Sequence, residues 1–183
     1  MSTAAFSSFF AVLAVACWAG TVLLVALALA RRRHAGAADV YEDVSRAALW
    51  IAALVAAVTM AGSLYYSEVA HFVPCKLCWY QRIAAYPLVI LLLVAAIRGD
   101  RRVWHYVVPL AAVGAGFSIY HSQLQAFPAQ GSSFCTVTEP CTIRYVWEWK
   151  FISLPLMALS AFVIIITLVL VARSDARHED APR

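Results

Sequence analysis

Five long runs of uncharged, mostly apolar residues divide the chain, and short segments that carry the charged residues separate them. The runs cover about residues 5–30, 47–67, 83–97, 103–124 and 151–172. A helix of about 20 apolar residues is long enough to cross the hydrocarbon core of a bilayer. The pattern therefore predicts an all-α membrane protein with five transmembrane helices.

The third run is too short to cross a membrane if it begins where the charges end. Only 15 uncharged residues lie between Arg82 and Arg98, which corresponds to about 22 Å of helix at about 1.5 Å per residue. The hydrocarbon core is about 30 Å thick. We therefore expect this helix to begin near Cys78, which draws Arg82 inside the edge of the membrane.

Composition excludes an ordinary water-soluble domain, since 63% of the residues are hydrophobic and only 13% are charged. The formal net charge is +4. The basic residues flank apolar runs and do not form a stripe with interleaved aromatic residues, so they indicate topology and not nucleic-acid binding. We expect contact with membrane lipid and no nucleic-acid partner.

The basic residues are divided unequally between the two sides of the predicted bundle. Ten lie in residues 31–46, 98–102 and 173–183, and four lie in the remaining connections, at Lys76, Arg82, Arg144 and Lys150. The positive-inside rule assigns the richer set to the cytoplasm. We therefore expect the amino terminus outside, the carboxyl terminus inside, and every cysteine pair outside the cytoplasm, where disulfides persist.

The first run also has the length of a cleaved signal peptide. Such a peptide has basic residues before its apolar core, whereas here Arg31, Arg32 and Arg33 follow it. We therefore interpret the run as an uncleaved helix. The predicted organisation is an extra helix at 1–34, a cytoplasmic linker at 35–46, a four-helix domain at 47–172 with an extracytoplasmic loop at 125–150, and a cytoplasmic tail at 173–183.

Four of the five cysteines form two close pairs. Cys75 and Cys78 make a Cys-x-x-Cys motif at the entry of the third helix, where free backbone N–H groups favour the thiolate that performs disulfide exchange. Cys135 and Cys141 lie in the loop before the fifth helix, where 127–133 has the composition of an irregular, mobile segment. Cys17 stands alone in an apolar run, and we expect it to be a packing residue.

Arg82 follows Cys78 by four residues, so a continuous helix places both on one face. A site between them suits a lipid-soluble electron carrier, which needs an apolar slot and a donor for the charge that develops on its oxygens. The alternative is an arginine that only reaches towards the membrane surface.

Other interpretations of the cysteines remain open on spacing alone. Both pairs are compatible with structural disulfides that brace the loops. A four-cysteine zinc site is less favoured because only the first pair has zinc-knuckle spacing, and covalent haem would need a histidine where Trp79 stands. We therefore expect no metal.

Several motifs together resemble the DsbB family of thiol:quinone oxidoreductases, in particular its short-looped BdbC-like branch. They are Cys-Lys-Leu-Cys-Trp-Tyr-Gln-Arg at 75–82, Tyr-Pro at 86–87, Tyr-His at 120–121, Glu-Pro-Cys-Thr at 139–142 and Phe-Ile-Ser-Leu-Pro-Leu at 151–156. The resemblance covers about residues 47–172. It implies a four-helix bundle, so the first helix is an addition that the family does not explain.

The resemblance implies an electron relay in a bacterial plasma membrane, from a DsbA/BdbD-like thioredoxin-fold partner to a quinone, either menaquinone or ubiquinone. By position, Cys135 forms the mixed disulfide with the partner, Cys141 resolves it or passes electrons to Cys75, and Cys78 contacts the quinone. Arg82 and His121 match positions that the family associates with the quinone.

The competing hypothesis is a non-catalytic membrane subunit or carrier in which both disulfides only stabilise loops. The predicted spans contain no carboxylate. Because ion-coupled carriers commonly use one, this weakens the carrier version of that hypothesis.

Overall fold

A computed structural model describes residues 3–130, 135 and 140–179, with only the backbone described for 175–179. It contains five long helices: α1 (Thr3–Ala30), α2 (Ala35–Leu64), α3 (Lys76–Arg98), α4 (Trp104–Ala126) and α5 (Leu154–Glu179). Each is long and apolar enough to cross a membrane. Within the described residues the only β pairing is an isolated bridge between Glu148 and Ile152. The predicted all-α fold with five membrane-spanning helices is confirmed.

Two helices begin at points that differ from the apolar runs. Residues 35–46, which the sequence assigned to a linker, form the first turns of α2. α5 begins at Leu154, three residues after the predicted start at 151, because Glu148 and Ile152 exchange two backbone hydrogen bonds of 2.9 Å. Trp149 and Lys150 turn the chain there with φ of 49° and 65°. A closed turn therefore occupies the residues just before α5.

α5 lies at the centre of the bundle, where it packs against α1, α2 and α4, and α3 fills the space between α2 and α4. The buried core includes Leu88 and Leu92 of α3 and Phe162 of α5. A Cβ atom on Gly114 would lie 2.4 Å from the Phe162 ring. Glycine at this position therefore allows α4 to approach α5 closely, as small residues do between membrane helices.

α1 is the most peripheral helix and buries one narrow face. Ser7, Ala11 and Ala14 are its buried residues in the first half, and their spacing of four and three places them on one side of a helix. Cys17 packs partly buried against the core, as predicted. Because successive helices run in opposite directions, the first turns of α1, α3 and α5 lie with the last turns of α2 and α4 at one end of the bundle. We call this the cysteine end.

Candidate redox site

Cys75 is the residue that caps the amino terminus of α3. Its backbone is extended, with φ −70° and ψ 170°, and its Sγ accepts a hydrogen bond of 3.4 Å from the backbone N–H of Cys78. The two Sγ atoms lie 3.0 Å apart without a disulfide bond. The cap thus fixes both sulfurs in the first turn of the helix, with Cys75 buried and Cys78 half-buried.

The surroundings of Cys75 favour its thiolate. Hydrogen bonding from the Cys78 thiol lowers the pKa of Cys75 from 9.0 to about 4; burial opposes this shift, and His121 adds to it. A thiolate attacks disulfides and is also the better leaving group when a disulfide is broken. Cys75 is therefore suited to exchange with another cysteine pair.

His121 of α4 lies between the two cysteine pairs and is buried. Its Nε2 is 3.8 Å from the Sγ of Cys75 and 3.1 Å from the carbonyl oxygen of Cys141. A carbonyl can only accept a hydrogen bond, so Nε2 carries the proton and donates it. In neutral histidine Nδ1 then accepts, and the amide nitrogen of the buried Gln81 lies 3.5 Å from it.

The second pair is closed as a Cys135–Cys141 disulfide, with the Cα atoms 5.8 Å apart. Cys141 is 1% exposed, and it forms one buried cluster with Cys75, Leu77 and Leu124, against which Cys78 and Cys135 pack. The structure thus brings all four predicted cysteines together. Of the loop predicted to be irregular, Pro128–Gln130 forms one 3₁₀ turn, while residues 131–133, like Glu139 of the family motif, lie outside the described residues.

A cavity of about 430 Å³ opens on the other side of Cys78. Side chains of α1, α2, α3 and α5 line it, most of them apolar, and the polar ones include Cys78, Gln81 and Arg82. Neither Cys75 nor His121 belongs to its lining. Of the helical pair, it is therefore Cys78 that lines this cavity. An apolar cavity with a few polar groups is typical of a site for an apolar ligand with a few polar atoms.

Arg82 is held at the cavity by α2. Its Nε and Nη2 groups donate 2.9 Å hydrogen bonds to the hydroxyl and the carbonyl oxygen of Ser63, and the Tyr86 hydroxyl donates to the same hydroxyl at 3.2 Å. The guanidinium carbon also lies 5.3 Å from the Trp79 ring centre. Because a guanidinium has five N–H donors, these contacts leave it able to bind a further acceptor.

The six residues singled out from the sequence thus occupy two adjoining sites. His121 lies with Cys75 and Cys141, whereas Arg82 lies with Cys78 on the cavity, so the association of His121 with a quinone stays a prediction. Sequence reasoning did not single out Gln81, although its position one helical turn after Cys78 places it on the cysteine face.

A metal is the other ligand that this cluster could take. The ligand atoms of Cys75, Cys78 and His121 all lie within 4.8 Å of one another. Thiolate and imidazole are ligands that zinc prefers. The Sγ–Sγ distance of 3.0 Å, however, fits a hydrogen bond between a thiol and a thiolate.

Comparisons with known proteins agree on the second to fifth helices. A family model described as "Disulfide bond formation protein DsbB" matches residues 45–173. Disulfide bond formation protein C of Bacillus subtilis (strain 168) is 44% identical over 129 residues, which cover 70% of this chain and 91% of that protein. No solved structure gives a significant match.

Two further relatives carry similar names. A probable disulfide formation protein of Oceanobacillus iheyensis is 42% identical over 70% of this chain and 89% of its own length. One of Deinococcus radiodurans is 39% identical over 66% of this chain and 85% of its own length. The residues of α1 precede the region that the family model matches.

Proposed function

The chain belongs to the DsbB family of disulfide bond formation proteins, and from this premise we propose that it is a thiol:quinone oxidoreductase. In this proposal it reoxidises a DsbA/BdbD-like thioredoxin-fold partner outside the cytoplasm and passes the electrons to a membrane quinone. The observation that carries the proposal is the position of Cys75 and Cys78, which lie between a second cysteine pair on one side and an apolar cavity with an arginine on the other.

The first half of the reaction is disulfide exchange with the partner. A partner thiolate attacks Cys135, the Cys135–Cys141 bond breaks, and a mixed disulfide forms while Cys141 leaves as a thiolate. The partner's second thiolate then displaces Cys135, so the partner becomes a disulfide and the loop pair a dithiol. Two electrons and two protons pass to this chain.

The second half is exchange between the two pairs within the chain. The Cys141 thiolate attacks Cys75 of an oxidised Cys75–Cys78 pair, and Cys78 leaves. Cys135 then attacks Cys141 and displaces Cys75, which restores the loop disulfide. Because the pKa of Cys75 is lowered to about 4, Cys75 is a good leaving group in this step. The His121 N–H, 3.8 Å from its sulfur, stabilises the departing thiolate.

The cavity next to Cys78 fits a quinone by its chemistry. Its walls are apolar, and Cys78 brings one sulfur of the Cys75/Cys78 dithiol to it. Arg82 adds a fixed positive charge and N–H groups that can bind a further acceptor. A quinone bound there would supply an acceptor for the two electrons and two protons that are released when Cys75 and Cys78 close to a disulfide. Arg82 donates hydrogen bonds to an oxygen on which negative charge develops, and the apolar walls exclude water, which strengthens those bonds.

We also propose that the cysteine end faces the outside of a bacterial plasma membrane, which the ten-to-four division of basic residues supports. The test introduces single cysteines into a chain without the native five, at the exposed positions Ala129 and Gly36, which lie at opposite ends of the bundle. An impermeant maleimide should label Ala129→Cys on intact spheroplasts and Gly36→Cys only after lysis. The reverse pattern would contradict the orientation.

The direct test of the function is quinone reduction by the purified protein with a reduced thioredoxin-fold protein as electron donor, carried out with menaquinone and with ubiquinone. We expect two-electron reduction of at least one of them, together with formation of the donor's disulfide. If the two cysteine pairs neither exchange with added dithiols nor reduce either quinone, the hypothesis of two structural disulfides is correct and the proposal is wrong.

A further inference from the structure

α1 lies outside the family-matched region, yet it lines the cavity next to Cys78. The contributing residues are Phe9, Phe10, Leu13, Ala14 and Cys17. Their spacing places them on one face of the helix. The neighbouring Val12 points away and is 53% exposed. One face of α1 therefore lines the cavity of the proposed redox site, and the opposite face is exposed on the outside of the bundle.

Polar and aromatic contacts hold this face in place at the cysteine end. The Tyr66 hydroxyl donates to Ser7 Oγ, and the Ser8 hydroxyl donates to Glu148 Oε2, both at 3.2 Å. The rings of Phe6 and Tyr65 stack with their centres 3.5 Å apart. α1 is thus attached both to the end of α2 and to the turn before α5. These contacts indicate that α1 is a fixed part of the cavity lining and not a loosely attached helix.

The fit between α1 and α2 is closest at Gly62. A Cβ atom on Gly62 would lie 2.4 Å from the Phe10 ring, so this ring lies directly on the α2 backbone. Glycine at this position brings Phe10 to the cavity beside Ser63, the residue that holds Arg82. The wall contributed by α1 is therefore joined to the arginine site through neighbouring residues of α2.

α1 and α3 both line the cavity from different positions in the bundle. α1 packs against α5 and α2, and α3 packs against α2 and α4. Cys78 and Arg82 line the cavity from α3, while Leu13 and Cys17 line it from α1. A ligand that reaches Cys78 in this cavity therefore lies in a space that α1 helps to enclose, together with α2 and α5.

We infer that α1 forms one wall of the site where the electron acceptor binds, and that Phe10, Leu13 and Cys17 determine which quinone ring fits against Cys78 and Arg82. This inference rests on the proposed function, in which a quinone accepts electrons from the Cys75/Cys78 dithiol. It gives the extra helix a role in acceptor specificity, because wall residues set the size and shape of an apolar pocket.

The first test compares Leu13→Trp, which fills the cavity, with Val12→Trp, which adds the same ring on the exposed face. With dithiothreitol as reductant and a quinone titration, Leu13→Trp should raise the KM for quinone about fivefold or more, because the larger ring occupies cavity space that the quinone needs. Val12→Trp should change it less than twofold, and the KM for dithiothreitol should stay unchanged in both. Leu13→Ala, which removes a wall contact, replaces Leu13→Trp if the latter does not fold.

The second test measures binding without turnover. An azido-substituted quinone is photolysed on the full-length chain with Cys75 and Cys78 replaced by serine, and the labelled peptides are identified. Labels in both α1 and α3 that excess quinone suppresses support the inference. Suppressible labels in α3 without any in α1, together with equal KM values for the two tryptophan variants, overturn the inference and leave the proposed function standing. No suppressible label anywhere, with no quinone reduction by the unmodified protein, overturns the proposed function and the inference with it.

Discussion

The two cysteine pairs differ in what holds them. Cys75 caps a 23-residue helix and Cys78 lies in its first turn, where a backbone N–H donates to the Cys75 sulfur and core residues pack behind the pair. Cys135 and Cys141 lie in the connection between α4 and α5, and a disulfide closes their short loop. A rigid helix suits a pair that must meet an acceptor at a fixed place, and a connecting segment suits a pair that must meet another protein.

The pairs are alike in burial, since each has one buried and one half-buried cysteine, and they differ in what those cysteines contact. In the loop pair Cys141 is buried and its carbonyl is bound by His121, whereas Cys135 is half-buried. In the helical pair Cys75 faces His121 and Cys78 faces the cavity. The comparison teaches that the buried cysteine of each pair, Cys75 or Cys141, belongs to one shared cluster with Leu77 and Leu124, an arrangement that agrees with exchange between these two cysteines in the proposed relay.

The largest effect is expected from the helical pair. Cys75→Ser and Cys78→Ser should each abolish quinone reduction with any dithiol, because a single thiol cannot form the disulfide whose closure releases two electrons. The measurement is the decrease of quinone absorbance with dithiothreitol and with a thioredoxin-fold donor. Gel filtration and thermal unfolding should show a retained fold. Turnover in either variant would remove the distinction between the pairs.

Cys135→Ser should separate the pairs by their electron donors. The variant should lose oxidation of the protein donor, because the sulfur that forms the mixed disulfide in the proposed relay is missing and the buried Cys141 has no partner with which to close the loop disulfide. It should keep quinone reduction with a small dithiol that reaches the helical pair directly. Donor oxidation is followed by thiol alkylation and quinone reduction by absorbance. Equal loss with both donors, or no loss with the protein donor, would contradict the role of the loop pair.

The helices were predictable because length and hydropathy alone decide which segments cross a membrane. The early start of α3 followed from the same arithmetic, and the structure begins that helix at Lys76. The start of α5 was predicted three residues too early because Phe151 and Ile152 continue the apolar run. The positive φ values of Trp149 and Lys150, which close a turn there, have no equivalent in hydropathy.

The parts of the site that lie on one helix were predictable from the sequence, whereas the contacts between helices were not. Spacing on one helix is enough to place Cys78 and Arg82 on the same face. The position of His121 beside Cys75 depends on how α4 packs against α3, and the contact of α1 with the cavity depends on α1 lying against α5 and α2. No pattern within a single helix encodes such lateral packing.

Substitution of Arg82 tests the role of the cavity next to Cys78, and we expect an effect on quinone kinetics that is smaller than that of the cysteine substitutions. Arg82→Gln should keep both cysteine pairs but raise the KM for quinone or lower the maximal rate about tenfold or more, since a hydrogen bond to a charged group is worth about 1.5–3 kcal/mol. Arg82→Lys should recover only part, because an ammonium lacks the planar fork. A quinone titration measures both parameters.

Ser63→Ala is the matched control for Arg82, because it removes the hydroxyl that Arg82 and Tyr86 share and keeps the guanidinium. It should lower thermal stability as Arg82→Gln does, with a smaller change in quinone kinetics. If both variants change stability equally and neither changes the quinone parameters, Arg82 only joins α3 to α2.

The smallest effect at neutral pH is expected from His121, which lies between the pairs. The pKa of Cys75 is lowered from 9.0 to about 4, with His121 as one contributor, so the thiolate persists as the pH falls until it approaches about 4. His121→Phe removes a donor to that thiolate and should raise the pKa of Cys75 above this value, although the Cys78 hydrogen bond, the larger cause, remains. At pH 7 the thiolate still predominates, so turnover should change little.

The higher pKa should appear in the pH dependence of alkylation of reduced Cys75, measured by mass spectrometry from pH 3 to 8. The pH at which alkylation falls off on the acid side should move to a higher value. His105→Phe, an exposed histidine near the opposite end of α4, is the control and should leave the profile unchanged. An unshifted profile in His121→Phe would mean that Cys78 alone stabilises the Cys75 thiolate, and the histidine would then only position the Cys141 backbone.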